Sequence, residues 1–182
     1  MATYYESIPK HLVAWIEAQP MFFVATAPSG EGGHINLSPK GLDTFRIIDH
    51  QTVAYLDLVG SGAETIAHLR QNGRMVVMFC GFDRPRRILR IWGEGRPFYP
   101  GMAEHSKLVE NFPQIPGARS IIKVDIRKVG TSCGGGVPLM QTVSQRDYLP
   151  TWADHKGPDA MWEYQKKNNT VSLDGLPAMD FS

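Results

Sequence analysis

The first 130 residues are written mainly in short apolar runs of strand length, with helical spacing only between some of them. Ile8, Leu12, Val13 and Ile16 recur at helical intervals, so a helix is expected over 7–19, with Ser7 as its cap and Pro9 in its first turn. Met21–Ala25 reads as a strand, Pro28–Gly33 as a turn, and His34–Leu37 as the returning arm of a hairpin. Thr44–Ile48 and Thr52–Leu58 follow as two strands around Asp49-His50-Gln51. A helix is expected over 63–72, stopped by Asn72-Gly73. Met75–Phe79 is nearly all apolar, as a central strand would be, and Arg87–Gly93 alternates, with Ile88, Arg90 and Trp92 on one face. Residues 102–112 read as helix and Ser120–Val129 as the last long strand. Beyond Gly130 the texture changes to a Gly134-Gly135-Gly136 tract, one or two helices within 143–168 and an irregular tail. Six or seven meandering strands do not alternate regularly with the helices. This argues against a βαβ dinucleotide fold and for a mainly β (α+β) domain, a small barrel with peripheral helices.

Composition narrows the picture without naming a function. The 182 residues, 42% of them hydrophobic, suffice for one compact domain with a real core. With 19 Lys+Arg against 18 Asp+Glu, the formal charge of +1 gives no global attraction to nucleic acid or to an anionic membrane. Cys80 and Cys133 are too few for a disulfide framework and read as free thiols in a reducing cytosol. No segment reaches the ~18 apolar residues of a membrane span. Glu6, Lys10 and Glu17 stand where a signal peptide would be unbroken and apolar. A soluble cytoplasmic protein is expected.

The common catalytic signatures are absent: no phosphate-binding G-x-x-x-x-G-K-[ST], no G-x-S-x-G, no H-E-x-x-H and no C-x-x-C. The six histidines are scattered singly, so no metal site is expected. Three local features remain. Ser38-Pro39-Lys40-Gly41 offers a hydroxyl, a cation and close backbone approach to an anion, although taken alone it reads first as a plain β-turn. Gly60-Ser61-Gly62-Ala63-Glu64-Thr65 enters a helix, where unpaired N–H groups suit a phosphate; Ser61 as an ordinary N-cap is the competing reading. Arg84, Arg86, Arg87, Arg90 and Arg96 gather near one strand with Trp92 and Phe98, either as a nucleic-acid face or as a solvated edge.

Taken in order, His34–Gly41, Thr52–Asp57, Gly60–Thr65 with its helix, Asn72–Phe79 and Arg87–Gly93 resemble the pyridoxamine 5′-phosphate oxidase-like FMN-binding split-barrel family, over about residues 8–130. The resemblance implies a six-stranded antiparallel split barrel over 1–130, to which we add 131–182 as a helical extension packed on the same domain. It further implies a homodimer with FMN in clefts between the subunits. On that pattern Ser38, Pro39 and Lys40 lie along the flavin, and Tyr55, Leu56 and Asp57 line the same site. Ser61, Gly62 and Thr65 hold the phosphate, and the partner subunit contributes the strand carrying Ile88 and Arg90.

The chain departs from pyridoxamine phosphate oxidases in two places. Ala63-Glu64-Thr65 stands where they carry Ser-Arg-Lys, so phosphate must depend on N–H groups, hydroxyls and Lys40 or Arg46, with Glu64 turned away. Residues 150–170 hold Trp152 and Trp162 but no arginine for the vitamin's phosphate. The expected function is therefore an FMN-dependent oxidoreductase acting on a small organic substrate other than pyridoxamine phosphate, with no catalytic side chain assigned. The alternative is a non-catalytic binder of FMN, haem or a deazaflavin, where haem would draw on His34 or another histidine. Neither nucleic acid nor membrane is an expected partner.

Overall fold

A computed structural model describes residues 2–83 and 85–181; Arg84, one of the five arginines above, lies outside the described residues. The strands are β1 (Thr3–Tyr5), β2 (Phe22–Thr26), β3 (Asn36–Lys40), β4 (Phe45–Asp49), β5 (Thr52–Leu58), β6 (Arg74–Cys80), β7 (Arg87–Phe98) and β8 (Ala118–Cys133). The helices are α1 (Lys10–Glu17), α2 (Glu64–Asn72), α3 (Ala103–Val109) and α4 (Tyr148–Asn168). The strand order is β3-β2-β6-β7-β8-β5-β4, every neighbour antiparallel, and β1 adds to β8.

The mainly β class expected from the pattern is the one observed. Eight strands form among the described residues against the six or seven expected from the pattern, because β1 was not foreseen. Three boundaries differ for physical reasons. α1 starts after Pro9, and no side chain caps it, so Ser7 is not its cap. Ser38-Pro39-Lys40 sits inside β3 rather than in a turn; β3 is an edge strand, where a proline need not donate to a ladder. β7 runs on through Gly93, Gly95 and Pro97 because β8 pairs with it along its length. α2 stops as expected, with Gly73 at φ +70 donating its N–H to the Leu69 carbonyl.

Curling of the sheet brings its distant strands together. Phe22 on β2 meets Phe45 on β4 at 5.2 Å between ring centroids, Tyr55 on β5 at 5.5 Å and Phe79 on β6 at 5.8 Å. These rings, with Leu12 and Ile16 of α1 and Ile66 and Leu69 of α2, form the main core. Yet β3 and β4, consecutive in the chain, are not paired to each other. The barrel is split along that seam.

The chain beyond 130 is tied to the same body. β8 carries across that point to Cys133, and Ala178 and Met179 enter the main core. α4 breaks at Gly157, whose φ of +72 and ψ of 167 leave the helical region, and Ala153 and Met161 on either side pack with Val59. No helix among the described residues is long and apolar enough to cross a membrane.

Phe22→Ala should cost roughly 3–5 kcal/mol in urea denaturation, because the deleted ring joins both sides of the seam. A loss below about 1 kcal/mol would mean that the aromatic contact does not close the barrel.

Candidate functional site

The seam opens into a cleft of about 960 Å³. Asn36, Ser38 and Lys40 reach it from β3, which pairs them with the inward-facing Thr26, Val24 and Phe22 of β2. The Gly41–Thr44 corner forms one rim, Leu56 and Leu58 of β5 a wall, and Gly60–Gly62 with the start of α2 the far side. Ser144, Gln145, Arg146, Tyr148 and Leu149 cover part of the opening. Gln145 fixes that cover: its side chain donates to the Pro20 carbonyl at 2.7 Å and accepts from the Leu42 N–H at 3.1 Å. Leu42 has φ +61, a conformation that costs a bulky side chain energy and that this contact helps to hold.

The floor is electrostatic. Asp57 is wholly buried and lies 3.1 Å from Lys40 Nζ and 2.7 Å from Arg119 Nε. Burial alone would raise its pKa, but the two cations more than reverse this and hold the carboxyl below its ordinary value. Two cations share that carboxylate, and around the cleft Lys40, Arg119 and Arg146 stand against Asp57 and Glu64. Arg119 also donates to the carbonyl of Gly62 at 2.9 Å and to Asn169 Oδ1 at 2.8 Å.

A hydroxyl–amide chain fixes the β3 wall. Ser38 donates to Asn36 Oδ1 at 2.9 Å, and Asn36 Nδ2 donates to Thr65 Oγ1 at 3.0 Å and, more weakly, to Thr26 Oγ1 at 3.4 Å. Thr26 Oγ1 lies 3.0 Å from Nδ1 of the buried His68, whose pKa is lowered chiefly by burial.

Of the residues anticipated from sequence, Ser38, Pro39, Lys40, Leu56, Ser61, Gly62 and Thr65 line this one cleft. Tyr55 does not; it is wholly buried in the barrel, and burial pushes its phenol well above the ordinary value. Asp57 lies beneath the floor as the partner of Lys40 and Arg119. Arg90 sits on the outer face of the sheet, 3.3 Å from Ser132 Oγ, and is not a lining residue of its own chain's cleft. Arg46, considered as a phosphate partner, is held by Asp43 and the Asn111 carbonyl instead. Ser61 does not cap α2: Ala63 occupies that position and no side chain bonds there. Glu64 is not turned away from the cleft as expected: it is a lining residue, and its carboxylate accepts from the Leu173 N–H, at 3.0 and 3.1 Å, also at the cleft. His34 Nδ1 lies 2.6 Å from Asp174.

Arg119, Asn36, Gln145, Arg146 and Asn169 were missed. A carboxylate inside the apolar run of β5 was the available signal for Arg119, since a buried Asp demands a cation. Nothing local announces Asn169. Among the described residues no cluster of His, Cys, Asp and Glu could hold a metal ion.

A curled antiparallel sheet, open at one seam over a cationic floor, defines a split-barrel protein with a cleft suited to an anionic ligand. A family model described as pyridoxamine 5′-phosphate oxidase matches residues 8–133, and the chain belongs to that family. It is 40% identical to the pyridoxamine 5′-phosphate oxidase family protein ustO of Aspergillus flavus, over 98% of this chain and 78% of that one. Among solved structures, a variant of HupZ from Group A Streptococcus superposes with a TM-score of 0.54 at 19% identity, covering 69% of this chain and 99% of that one. A putative pyridoxamine 5′-phosphate oxidase from Lactobacillus delbrueckii gives a TM-score of 0.53 at 12% identity, covering 69% and 94%. Both likenesses are of fold.

Asp57→Asn should destabilise the protein by roughly 3–5 kcal/mol, because Arg119 and Lys40 lose their buried counter-charge. The folded pKa of Asp57 lies below its ordinary 3.8, so on acidification the unfolded chain takes up the proton first. Its stabilisation is complete above about pH 4 and drains as pH falls through the folded value. The variant should therefore lose part of the wild-type decline in stability below about pH 4; equal acid profiles for the two proteins would contradict the pairing.

Proposed function

We propose that this chain is a flavoprotein that holds FMN in the seam cleft and acts as an oxidoreductase on a small organic substrate. The observation that carries the reading is the pairing of Lys40 and Arg119 on the buried Asp57, which with Arg146 sets three cations against Asp57 and Glu64 around a cleft whose volume falls in the range of cofactor sites. The residues present fit the group. Ser61 and Thr65 offer hydroxyls, the first turn of α2 offers uncapped N–H groups, and the one nearby carboxylate on that turn, Glu64, is engaged by Leu173. Lys40 and Ser38 hold the body of the cofactor along β3, and Leu56 and Leu58 give its ring an apolar wall. Bound FMN supplies the hydride and electron transfer, so the chain needs no nucleophile or acid–base pair of its own. The part of the chain is to bind, orient and shield.

The reading extends to a homodimer. The outer face of the sheet carries Leu37, Ala25, Val76 and Trp92 in one row of paired strands, and Pro39, Phe23, Met78 and Arg90 in the next. Leu37 is 63% exposed and Ile35 77%, a large apolar surface for a single chain and one that a second copy would cover. Arg90 has no carboxylate partner among the described residues, which suits it to reach the partner's cleft. A cytoplasmic setting agrees with the two free thiols, Cys80 buried and Cys133 exposed.

Titration with FMN should quench its fluorescence at one flavin per chain and raise the Tm, while Lys40→Ala weakens binding about tenfold or more. Light scattering should give twice the chain mass, reduced to one chain mass in Arg90→Glu. No quenching and no rise in Tm would refute the flavin reading. Tight binding without turnover of any electron donor or acceptor would leave a flavin carrier in place of an enzyme.

A further inference from the structure

The family match ends at residue 133, yet the chain returns to the cleft far beyond it. Asn169, just after α4, is wholly buried. Its backbone is pinned on both sides: its N–H donates to the Gln165 carbonyl at 2.7 Å, and its carbonyl accepts from Met179 N–H at 3.0 Å. Ala178 N–H bonds the neighbouring Thr170 carbonyl at 2.8 Å, and Arg70 of α2 donates to the Ala178 carbonyl. The side chain is therefore presented from a fixed frame.

Both ends of that side chain are used. Oδ1 accepts from Arg119 Nη1 at 2.8 Å, and Nδ2 donates to the Gly60 carbonyl at 3.1 Å. Arg119 Nη1 takes the Gly62 carbonyl at 2.9 Å. Two carbonyls of one short loop are thus drawn into the protein. In a trans peptide the carbonyl and the following N–H point in opposite directions. The N–H groups of Ser61 and Ala63 are therefore turned away from Asn169 and Arg119, in a loop whose Gly60, Ser61 and Gly62 line the cleft. Neither N–H has a hydrogen-bond partner among the described residues. A loop held this way presents peptide donors to an anion without the paired cations that the Ala63-Glu64-Thr65 sequence lacks.

We propose that Asn169, acting through Gly60 and Arg119, is a positioning residue that sets the Gly60–Gly62 loop to receive the phosphate of the cofactor, so that the C-terminal segment completes the site. This rests on the flavin reading above. The test separates phosphate recognition from general integrity by comparing FMN with riboflavin, which shares the ring and lacks the phosphate. Wild-type protein should bind FMN more tightly than riboflavin. Asn169→Ala should weaken FMN about tenfold or more and change riboflavin affinity less than about twofold. If Asn169→Ala does not fold, Asn169→Asp keeps the shape and the acceptor for Arg119 but loses the donor to Gly60, and the same selective loss is expected. Equal weakening of both ligands, or of neither, overturns the positioning role. A wild type that binds both equally removes the phosphate from this loop while sparing the flavin. Binding of neither ligand overturns the flavin reading itself.

Discussion

The contact between Lys40, Asp57 and Arg119 governs the architecture of the seam. A carboxylate with no exposure, on the same inward face as Val53 and Tyr55, is tolerable only with counter-charges at hydrogen-bond distance. One comes from β3, on the far edge of the split, and the other from β8 beneath it. The pair draws together two parts of the sheet that the backbone ladder leaves unjoined. Closing the barrel and charging the cleft are consequences of the same group.

On the proposed reading, that arrangement lets a family member without the Arg and Lys of the Ser-Arg-Lys signature at the start of α2 still receive an anion. Positive charge is supplied from below, by side chains of the barrel, and hydrogen-bond donors by a loop that buried polar groups hold in place. Glu64 lines the same cleft, and its carboxylate is tied to the Leu173 N–H of the C-terminal segment. The outer sheet face, apolar and lightly covered, belongs to the same scheme: the seam leaves edge strand β3 with one side over the cleft and the other facing a proposed second copy.

Much of this was legible in the chain. The Thr52–Leu58 strand coincides with β5 because a dense apolar run has one reading at that length, and α2 announces its own end with Asn72-Gly73. Seven of ten anticipated site residues line a single cleft: Ser38, Pro39 and Lys40 on β3, Leu56 on β5, and Ser61, Gly62 and Thr65 at the entry to α2. Elsewhere local signals mislead. Pro39 suggests a turn, but an edge strand forgives the missing N–H. Gly93, Gly95 and Pro97 suggest that a strand has ended, but pairing with β8 carries β7 onward. The parts that no window could show are contacts across distance, such as Arg119 with Asn169, 50 residues apart. Tyr55 and Asp57 illustrate the alternation rule at work: neighbours of Leu56 by sequence, they face the interior of the barrel while Leu56 faces the other way.

Phosphorus NMR of the FMN-saturated protein, followed across a pH titration, reports the charge state of the bound phosphate directly. A free phosphate monoester takes up its second proton near about pH 6. A phosphate seated over the cationic floor and the Gly60–Gly62 donors should stay dianionic, with a resonance that does not move between about pH 5 and pH 8. A bound resonance that titrates near the value of free FMN would show the phosphate in solvent, and the electrostatic basis of the site would be wrong.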